Sequence, residues 1–450
     1  MRRTRILSLF AAFAFTVMAD PVSSVAYAIE AALRDLDGQL SDLFPAMLLV
    51  VVTIGLVAGT YHQLIRRFPS GGGGPEGVAA AFGESWAFLP LAALLIDFTL
   101  TVAVSCGAAA AAAISYLPGL ASWRLPIAIG FALLVAAGIL LGHRGRIAFA
   151  TATILFIAFA FAVLAGGAGT APATASPAPL VGDAGTIAVL LAMPLGMALA
   201  TGVESPSNAI GHLGYFHDRG RRLFGQVTLW LMIAIVGGLT LGLTALAVSL
   251  GVSEPPADST LLAEVARRSV GGGAPFAAFQ ALTALLLLAA AASAYAAASG
   301  VLRALAVHGA PGRGLLPAAF GLRNRGYVPY WGVLAVCGAS CGLLVLAGGR
   351  ETGIVGFYAV AVFISFVAAL AACAKLSLND RRRWAFLVNV AGLVPVAYVL
   401  FANCLRIDGI VSILASVAVA TALWGSWVRR GRPGGIAGSV VEGSSAPARP

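Results

Sequence analysis

The chain has 450 residues, of which 60% are hydrophobic and only 10% are charged, and its mean hydropathy is +0.94. Soluble globular domains carry about 25% charged and about 45–50% apolar residues, so this composition excludes soluble, disordered, disulfide-rich secreted and nucleic-acid-binding proteins. A transmembrane helix needs about 20 consecutive apolar residues, and such stretches recur from end to end. The chain is therefore predicted to be an all-α polytopic membrane protein in a lipid bilayer.

Twelve apolar segments predict about 12 transmembrane helices, called spans 1 to 12 in chain order. They cover residues 6–33, 43–65, 86–116, 124–142, 147–168, 185–211, 223–250, 275–303, 330–347, 353–374, 384–403 and 407–428. If the N-terminus is cytoplasmic, 22 of the 28 Lys and Arg residues fall in cytoplasmic loops, as the positive-inside rule requires. This distribution predicts an even number of spans, both termini in the cytoplasm, and a plasma membrane location, the inner membrane in a bacterium.

The two ends of the chain carry separate predictions. Residues 1–432 are predicted to form a single transmembrane domain, and residues 433–450, rich in Gly, Ser and Pro, a short disordered cytoplasmic tail. Residues 2–19 combine three arginines with a short apolar run, which is also typical of a signal peptide cleaved after Ala19. Because the apolar character resumes at Val22, one long interrupted helix is favoured.

Spans 1 and 6 each contain a proline that follows a residue typical of a helix cap. Asp20-Pro21 lies in span 1, and Ser205-Pro206 lies in span 6 after Thr201-Gly202-Val203-Glu204. A cap followed by proline is a helix start signal, so each span is predicted to be two half-helices with a short unwound joint. Two ordinary proline kinks are the alternative.

The spacing of the two prolines predicts an internal repeat. They lie five spans apart, and because five is odd the second copy must enter the membrane from the opposite face. The repeats are expected at residues 6–168 and 185–374, with two extra helices at 384–428. Inverted repeats of this kind are typical of transporters whose substrate site lies at the paired breaks.

Three acidic residues fall well inside the spans: Asp20 and Glu204 at the two prolines, and Asp97 in span 3. A carboxylate near the bilayer centre costs about 2.5–3.5 kcal/mol on insertion scales. No Lys or Arg falls at a matching depth to offset this cost. The acids must therefore meet a bound cation, a proton or polar backbone at a helix end, which predicts a cation site and disfavours an anion site.

Span 3 places further oxygen ligands beside its acid. Asp97, Thr101 and Ser105 recur every four residues and so line one face of a helix. Carboxylate, hydroxyl and carbonyl oxygens suit alkali and alkaline-earth ions. Thr or Ser alone is equally typical of helix–helix packing, so the prediction depends on the shared face with Asp97.

The residues around the two breaks receive separate roles. Tyr27 lies seven residues after Asp20, about 10 Å along a helix, and is predicted to add its hydroxyl or to close the site on the outer side. Asp20, as the expected cap, is predicted to stay ionised. Glu204 precedes its expected cap by one residue and is predicted to carry the coupled proton.

Several segments resemble the motifs of one transporter family. Ala19–Glu30 resembles DALSSVAYATEE, Leu95–Ser105 resembles LIDYVLTVAVS, and Ala200–Asn208 resembles LTGVEAISN. These motifs are typical of KimA-like potassium–proton symporters of the KUP group, in the amino acid–polyamine–organocation (APC) superfamily, which the chain therefore resembles. The end of Tyr61–Gly74 is similar to YPNGGG, and Ser293–Arg303 is similar to the eighth-helix segment. The similarity is good over residues 15–330 and extends to the rest by hydropathy.

The resemblance implies a LeuT-like 5+5 inverted repeat with helices 1 and 6 broken and two added helices. It implies that potassium ions and protons are carried, without a cofactor or catalytic residues. It also implies potassium binding by seven residues: Asp20, Tyr27, Asp97, Thr101, Ser105, Thr201 and Glu204. The sequence differs from the family at Pro21-Val22 and at Pro206. The cytosolic regulatory domain of the family does not follow span 12. Regulation and dimer contacts are therefore expected to differ, and a homodimer is left open.

The function predicted is secondary active, proton-coupled potassium uptake across the plasma membrane, and the protein is not expected to be an enzyme. A proton-coupled amino-acid or polyamine permease of the same superfamily is the alternative. Asp20 would repel the carboxylate of an amino acid, whereas a polyamine would tolerate the acids. An intramembrane aspartyl protease using Asp20 and Asp97 would leave Glu204 unexplained, and a receptor would be expected to have an extramembrane domain.

The glycines at 71–74 are interpreted as a flexible turn between spans 2 and 3. A phosphate-binding loop would need a following Gly-Lys-Ser or Gly-Lys-Thr, which the sequence lacks.

Overall fold

The computed structural model describes residues 2–142, 146–169, 186–213, 216–253, 255–308 and 314–438. Within these ranges the chain is helical and contains no strand. The α-helices are α1 (Arg2–Val17), α2 (Ala19–Ser23), α3 (Val25–Asp35), α4 (Leu40–Arg67), α5 (Gly73–Phe82), α6 (Glu84–Tyr116), α7 (Arg124–Leu140), α8 (Arg146–Ala168), α9 (Thr186–Gly196), α10 (Ser205–Ala209), α11 (Asp218–Ser249), α12 (Leu261–Val270), α13 (Ala274–Val307), α14 (Tyr330–Leu346), α15 (Thr352–Asn379), α16 (Arg383–Cys404) and α17 (Ile407–Arg429).

Ten helical stretches in the described ranges are long and apolar enough to cross a membrane. The prediction of an all-α polytopic membrane protein is thereby confirmed. Two features of the helices explain why ten such stretches are found where twelve spans were predicted. Span 1 is divided among α1, α2 and α3, and α14 is an apolar helix of only 17 residues. The number twelve stays a prediction.

Several contacts between the helices are compatible with an inverted repeat. Exchange of spans 1–5 with spans 6–10 maps each of the pairs 2–7 and 3–8 onto itself, and both pairs are in contact, since α4 packs against α11 and α6 packs against α13. The contact of α6 with α15 has its counterpart in the contact of α13 with α8. The contact of α1 with α8 likewise corresponds to that of α9 with α15. These neighbours support the predicted repeat, whose symmetry stays a prediction.

The central helix pair packs closely because small residues line it. Ala108–Ala112 of α6 and Ala289–Ala292 of α13 are all buried. Lipid tails are as apolar as leucine, so helices in a membrane associate through close van der Waals contact, which small side chains allow. This packing holds α6, and with it the stripe of polar residues on span 3, in the middle of the bundle.

The connecting segments gather at two ends of the bundle, which we call the α12 end and the α5 end after the short helix at each. At the α12 end, Arg406 pairs with Asp35 at 3.0 Å. At the α5 end, Arg67 pairs with Asp380 at 2.6 Å. Each of these ion pairs ties an early helix to a loop late in the sequence.

The glycines at 71–74 are buried rather than exposed in a flexible turn, which corrects the sequence interpretation. Gly72 has φ +96° and precedes α5, which begins at Gly73. A Cβ at Gly73 would overlap Asn208 Oδ1, and a Cβ at Gly74 would lie 3.6 Å from the Tyr61 hydroxyl. Glycine therefore occurs here because α5 approaches α4 and the second half of span 6 very closely.

Residues 433–438 pack against the α5 end, although they were expected to begin a disordered tail. Ile436 and Ala437 are buried, and the Gly435 N–H donates a hydrogen bond to Glu84 Oε1 at 2.8 Å. The indole N–H of Trp427 donates to the Pro433 carbonyl at 2.8 Å. The expectation of disorder is wrong for these six residues because two apolar side chains find buried positions; residues 439–450 lie outside the described ranges.

A buried amide network joins α16 to α4 and α15. Thr60 Oγ1 and Gln63 Nε2 both donate to Asn389 Oδ1, at 2.7 and 3.0 Å. Asn389 Nδ2 in turn donates to Gln63 Oε1 at 3.1 Å and to Ser377 Oγ at 3.3 Å. Since every polar atom of the Asn389 side chain is paired, the network anchors the first of the two added helices to the repeat.

Replacing Asn389 with leucine should lower the free energy of unfolding by about 1–3 kcal/mol, because it leaves buried amide and hydroxyl groups on α4 and α15 without partners. The thermal midpoint in detergent, followed by fluorescence-detected size exclusion, measures the effect. Asn403→Leu on the same helix is the matched control, since Asn403 bonds only to the carbonyl of Val399 in its own helix. Equal shifts for the two variants would contradict an anchoring role for the network.

Candidate functional site

The interruption in span 1 is a kink, not the unwound joint that the sequence predicted. Met18 and Ser24, which separate α1, α2 and α3, keep right-handed helical angles (φ −74°, ψ −14° and φ −64°, ψ −23°). The Val22 N–H still bonds to the Met18 carbonyl at 2.9 Å. Pro21 has no N–H, so it cannot donate to the carbonyl of Val17 one turn before it.

Asp20 lies in the first turn of α2, and the position before this helix is taken by Met18. The predicted role of Asp20 as a helix cap is therefore wrong. The hydroxyl groups of Ser23 and Ser24 donate to the carbonyls of Asp20 and Pro21, both at 2.6 Å. These bonds satisfy carbonyls near the kink and so help to keep the chain helical through it.

Span 6 is interrupted by a turn, as predicted. Its first half, α9, ends at Gly196 and continues as a 3₁₀ helix over Met197–Ala200. Thr201 then has extended angles (φ −59°, ψ 139°) and Gly202 has φ +76°, a conformation that glycine adopts without strain. The second half, α10, begins at Ser205. The predicted cap is wrong by one residue, since Glu204 precedes α10 and its side chain caps no backbone N–H.

The kink in span 1 and the turn in span 6 lie against each other. Ser24 Oγ donates to the Leu199 carbonyl at 3.2 Å. A Cβ built on Gly202 would lie 2.7 Å from Pro21 Cδ and 2.9 Å from Asp20 Oδ2. The two irregular segments therefore form one site, with the Asp20 carboxyl group directed at the turn in span 6.

The three membrane acids occupy the same region of the core. Asp20, Asp97 and Glu204 are 4%, 2% and 4% exposed, and each carboxyl group lies within electrostatic range of the other two. One oxygen of each carboxyl group, and the hydroxyl of Ser105, are buried without a hydrogen-bond partner in the described part of the chain. Within those same ranges no Arg, Lys or His forms an ion pair with any of the three acids.

The remaining predicted ligands are also buried. Tyr27 on α3 and Thr101 on α6 are 5% and 1% exposed, and Thr201 is fully buried at the turn in span 6. Thr201 Oγ1 donates to the Ala198 carbonyl at 2.7 Å, which leaves its lone pairs available to a cation. Six of the seven residues thus lie on the kink, on the turn or on α6, and Tyr27 lies on α3 just after the kink. Their binding of potassium stays a prediction.

The site differs from a carboxylate cage for a divalent metal. Across the described ranges, no group of three or more His, Cys, Asp or Glu residues is arranged to hold a metal ion. A cation bound between the three acids would therefore have to complete its coordination with hydroxyl and carbonyl oxygens. Such mixed oxygen sets are typical of sites for large, weakly bound cations at broken membrane helices.

Two polar residues near Glu204 were missed as site residues. A Cβ built on Gly74 would lie 3.6 Å from the Tyr61 hydroxyl and 3.8 Å from Ser365 Oγ. The Tyr61 phenol is buried and lies within electrostatic range of Glu204 and Asp97. A signal was present in the sequence, because Ser365 interrupts the apolar run Phe363-Ile364-Ser365-Phe366 of span 10 and Tyr61 begins a segment that resembles the symporters.

Two further buried acids lie at the α12 end and differ from the site acids in having arginine neighbours. Glu30 pairs with Arg34 at 2.8 Å and accepts a hydrogen bond from the Leu261 N–H, at the start of α12, at 2.9 Å. Glu351 lies 3.9 Å from Arg124. Burial and the nearby Glu30 raise the pKa of Glu351, while the two arginines oppose that shift. These acids join α12 and a loop to the bundle, which is a structural role.

Comparison with known proteins gives two matches. The profile of the family described as amino acid permease matches residues 7–427. The potassium transporter KimA of Bacillus subtilis (strain 168) is 29% identical over 394 residues, which cover 83% of this chain and 62% of that relative. The chain thus spans less than two thirds of the length of this curated relative. The matches confirm the resemblance found in the sequence.

Gly202→Ala should destabilise the protein, because a side chain at φ +76° costs about 1–2 kcal/mol and its Cβ would also press on Pro21 and Asp20. Thermal unfolding in detergent micelles measures the loss. Gly238→Ala on α11 is the control, since nothing lies within 4 Å of a Cβ there and alanine favours a helix. A Gly202→Ala protein as stable as the control variant would show that the kink and the turn are not in contact.

Proposed function

Because the chain belongs to the amino acid permease family, we propose that this membrane transporter takes up potassium ions together with protons. The single observation that carries the proposal is the group of three buried carboxyl groups at the kink and the turn, without a basic partner in the described ranges. The match to a protein named as a potassium transporter supports the choice of cargo.

A potassium ion would meet several kinds of oxygen in this region. The free oxygens of Asp20 and Asp97 supply negative charge, and the hydroxyl of Ser105 supplies a neutral ligand two turns along α6. Pro21 has no N–H to donate to the Val17 carbonyl, and this carbonyl is proposed as a further ligand on the other side of the kink. A large monovalent cation suits such a set because it needs many weak oxygen contacts rather than a rigid small cage.

Charge balance gives the reason for coupling to a proton. Three ionised acids around one potassium ion would leave two uncompensated negative charges in an apolar interior, which is costly. A proton on one acid reduces the excess to one. Glu204 is the acid proposed to take it, because it lies on the turn, outside the continuous helices that hold Asp20 and Asp97, and close to the Tyr61 phenol.

A proton-coupled permease for amino acids or polyamines is the second candidate, and the description of the matching family as amino acid permease favours an organic solute. An amino acid is less suited, since its carboxylate would face Asp20 at the turn where it would need N–H donors. Uptake of radiolabelled rubidium, amino acids and spermidine into proteoliposomes, at two pH values, separates the candidates. Rubidium uptake that rises with an inward proton gradient supports the proposal; transport of an organic solute without rubidium would refute it.

Asp97→Asn should abolish potassium-dependent growth of an uptake-deficient host, because the neutral amide removes a charged ligand from the face of α6. The amount of protein in the membrane, measured in parallel, should not change. Thr99→Ala is the matched control on the same helix, since its hydroxyl bonds only to the Leu95 carbonyl. Full growth with Asp97→Asn would remove α6 from the proposed site.

Glu204→Gln should abolish the movement of protons that follows addition of potassium to proteoliposomes, because the amide cannot exchange a proton in the physiological pH range. A pH-sensitive dye trapped inside the vesicles reports the movement. Glu264→Gln on α12 should leave it unchanged, as Glu264 bonds with Ser259 and Arg267 away from the site. Proton movement of normal size in the Glu204 variant would assign the coupling to another acid.

A further inference from the structure

A cleft of about 510 Å³ lies at the α5 end of the bundle, where α15 turns into α16. It is lined by Ser377, Leu378, Arg381, Arg382, Arg383, Phe386 and Leu387. The cleft is thus built from three consecutive arginines on one side and apolar side chains on the other. It is separate from the buried acids and is not used in the proposed transport mechanism.

The three arginines carry positive charge that the protein does not neutralise. No described residue forms an ion pair with Arg381, Arg382 or Arg383. The adjacent acid, Asp380, is already paired with Arg67 at 2.6 Å. An anion that entered the cleft would therefore meet guanidinium groups that are not committed to a carboxylate.

Arg381 adopts a backbone conformation that is costly for an arginine. Its φ is +56°, in the left-handed region, where it ends α15. The N–H groups of Arg381 and Arg382 bond to the carbonyls of Leu378 and Ser377, at 3.0 and 2.9 Å, which is the pattern of a Schellman motif. Glycine is the usual residue at this position, so an arginine there indicates a use for the side chain that outweighs the strain.

The apolar side of the cleft continues onto the lipid-facing surface. Leu378, Leu387 and Trp384 are 62%, 52% and 83% exposed. Trp is enriched where a membrane meets water, and basic pockets between transmembrane helices at that depth suit phosphate headgroups. The surface thus offers guanidinium groups for an anion and apolar side chains for the chains attached to it.

We propose that this cleft binds an anionic phospholipid, with its phosphate held by Arg381, Arg382 and Arg383 and its acyl chains along Leu378 and Leu387. The lipid would occupy the joint between the last helix of the second repeat and the first added helix. Arginine suits this ligand because its planar guanidinium group donates two parallel hydrogen bonds to a phosphate.

Native mass spectrometry of the full chain tests the proposal. The protein is delipidated in micelles, which are then titrated with phosphatidylglycerol or with phosphatidylcholine of identical acyl chains. The wild type should bind phosphatidylglycerol in preference. Arg382→Gln/Arg383→Gln should weaken that binding about thirtyfold, since each arginine near an anionic headgroup contributes roughly a fivefold factor. Arg219→Gln/Arg222→Gln is the matched control, because both residues are exposed on α11 and lie outside the cleft.

Arg381→Gly separates binding from folding. Glycine relieves the strained backbone, so the variant should be at least as thermostable as the wild type while it loses affinity for phosphatidylglycerol. Equal affinity in the wild type and both cleft variants, or equal binding of the two lipids, would overturn the proposal. Displacement of bound phosphatidylglycerol by millimolar inorganic phosphate would also overturn the proposal, and it would assign the cleft to soluble phosphate compounds.

Discussion

The burial of three carboxyl groups in an apolar bundle without basic partners is the constraint on which the site depends. Asp20, Asp97 and Glu204 come from three different spans, yet they lie within electrostatic range of one another. Like charges at this depth repel, and lipid cannot solvate them. This cost is the reason for proposing that a cation and a proton enter the site. The arginine-paired acids at the α12 end show that the same chain neutralises buried carboxylates internally where binding is not required.

The rest of the bundle fixes the helices that carry these acids. The alanine-lined contact of α6 with α13 fixes the stripe that carries Asp97 and Ser105. The buried glycines at the start of α5 let this helix approach Tyr61 and Asn208, and the amide network on Asn389 secures the surrounding helices. Rigid helices therefore surround a short irregular region, an arrangement in which backbone carbonyls become available without exposing them to lipid.

The sequence predicted most of this architecture because its signals are local. Long apolar runs predicted the spans, and the prolines predicted the positions of the kink and the turn. The same proline signal wrongly predicted an unwound joint at Asp20. The chain stays helical there because the hydroxyl groups of Ser23 and Ser24 satisfy nearby carbonyls. The ordered residues 433–438 and the contacts of Tyr61 depend on tertiary packing between distant segments, which residue spacing does not encode. The ligand roles of the seven site residues stay predictions.

The close fit of Gly202 against Pro21 and Asp20 has a consequence for the transport cycle. A methyl group at residue 202 would collide with Pro21 and Asp20, so the two spans meet here at a distance that only glycine allows. In the proposed transport cycle, the kink in span 1 and the turn in span 6 would therefore move together against the helices around them.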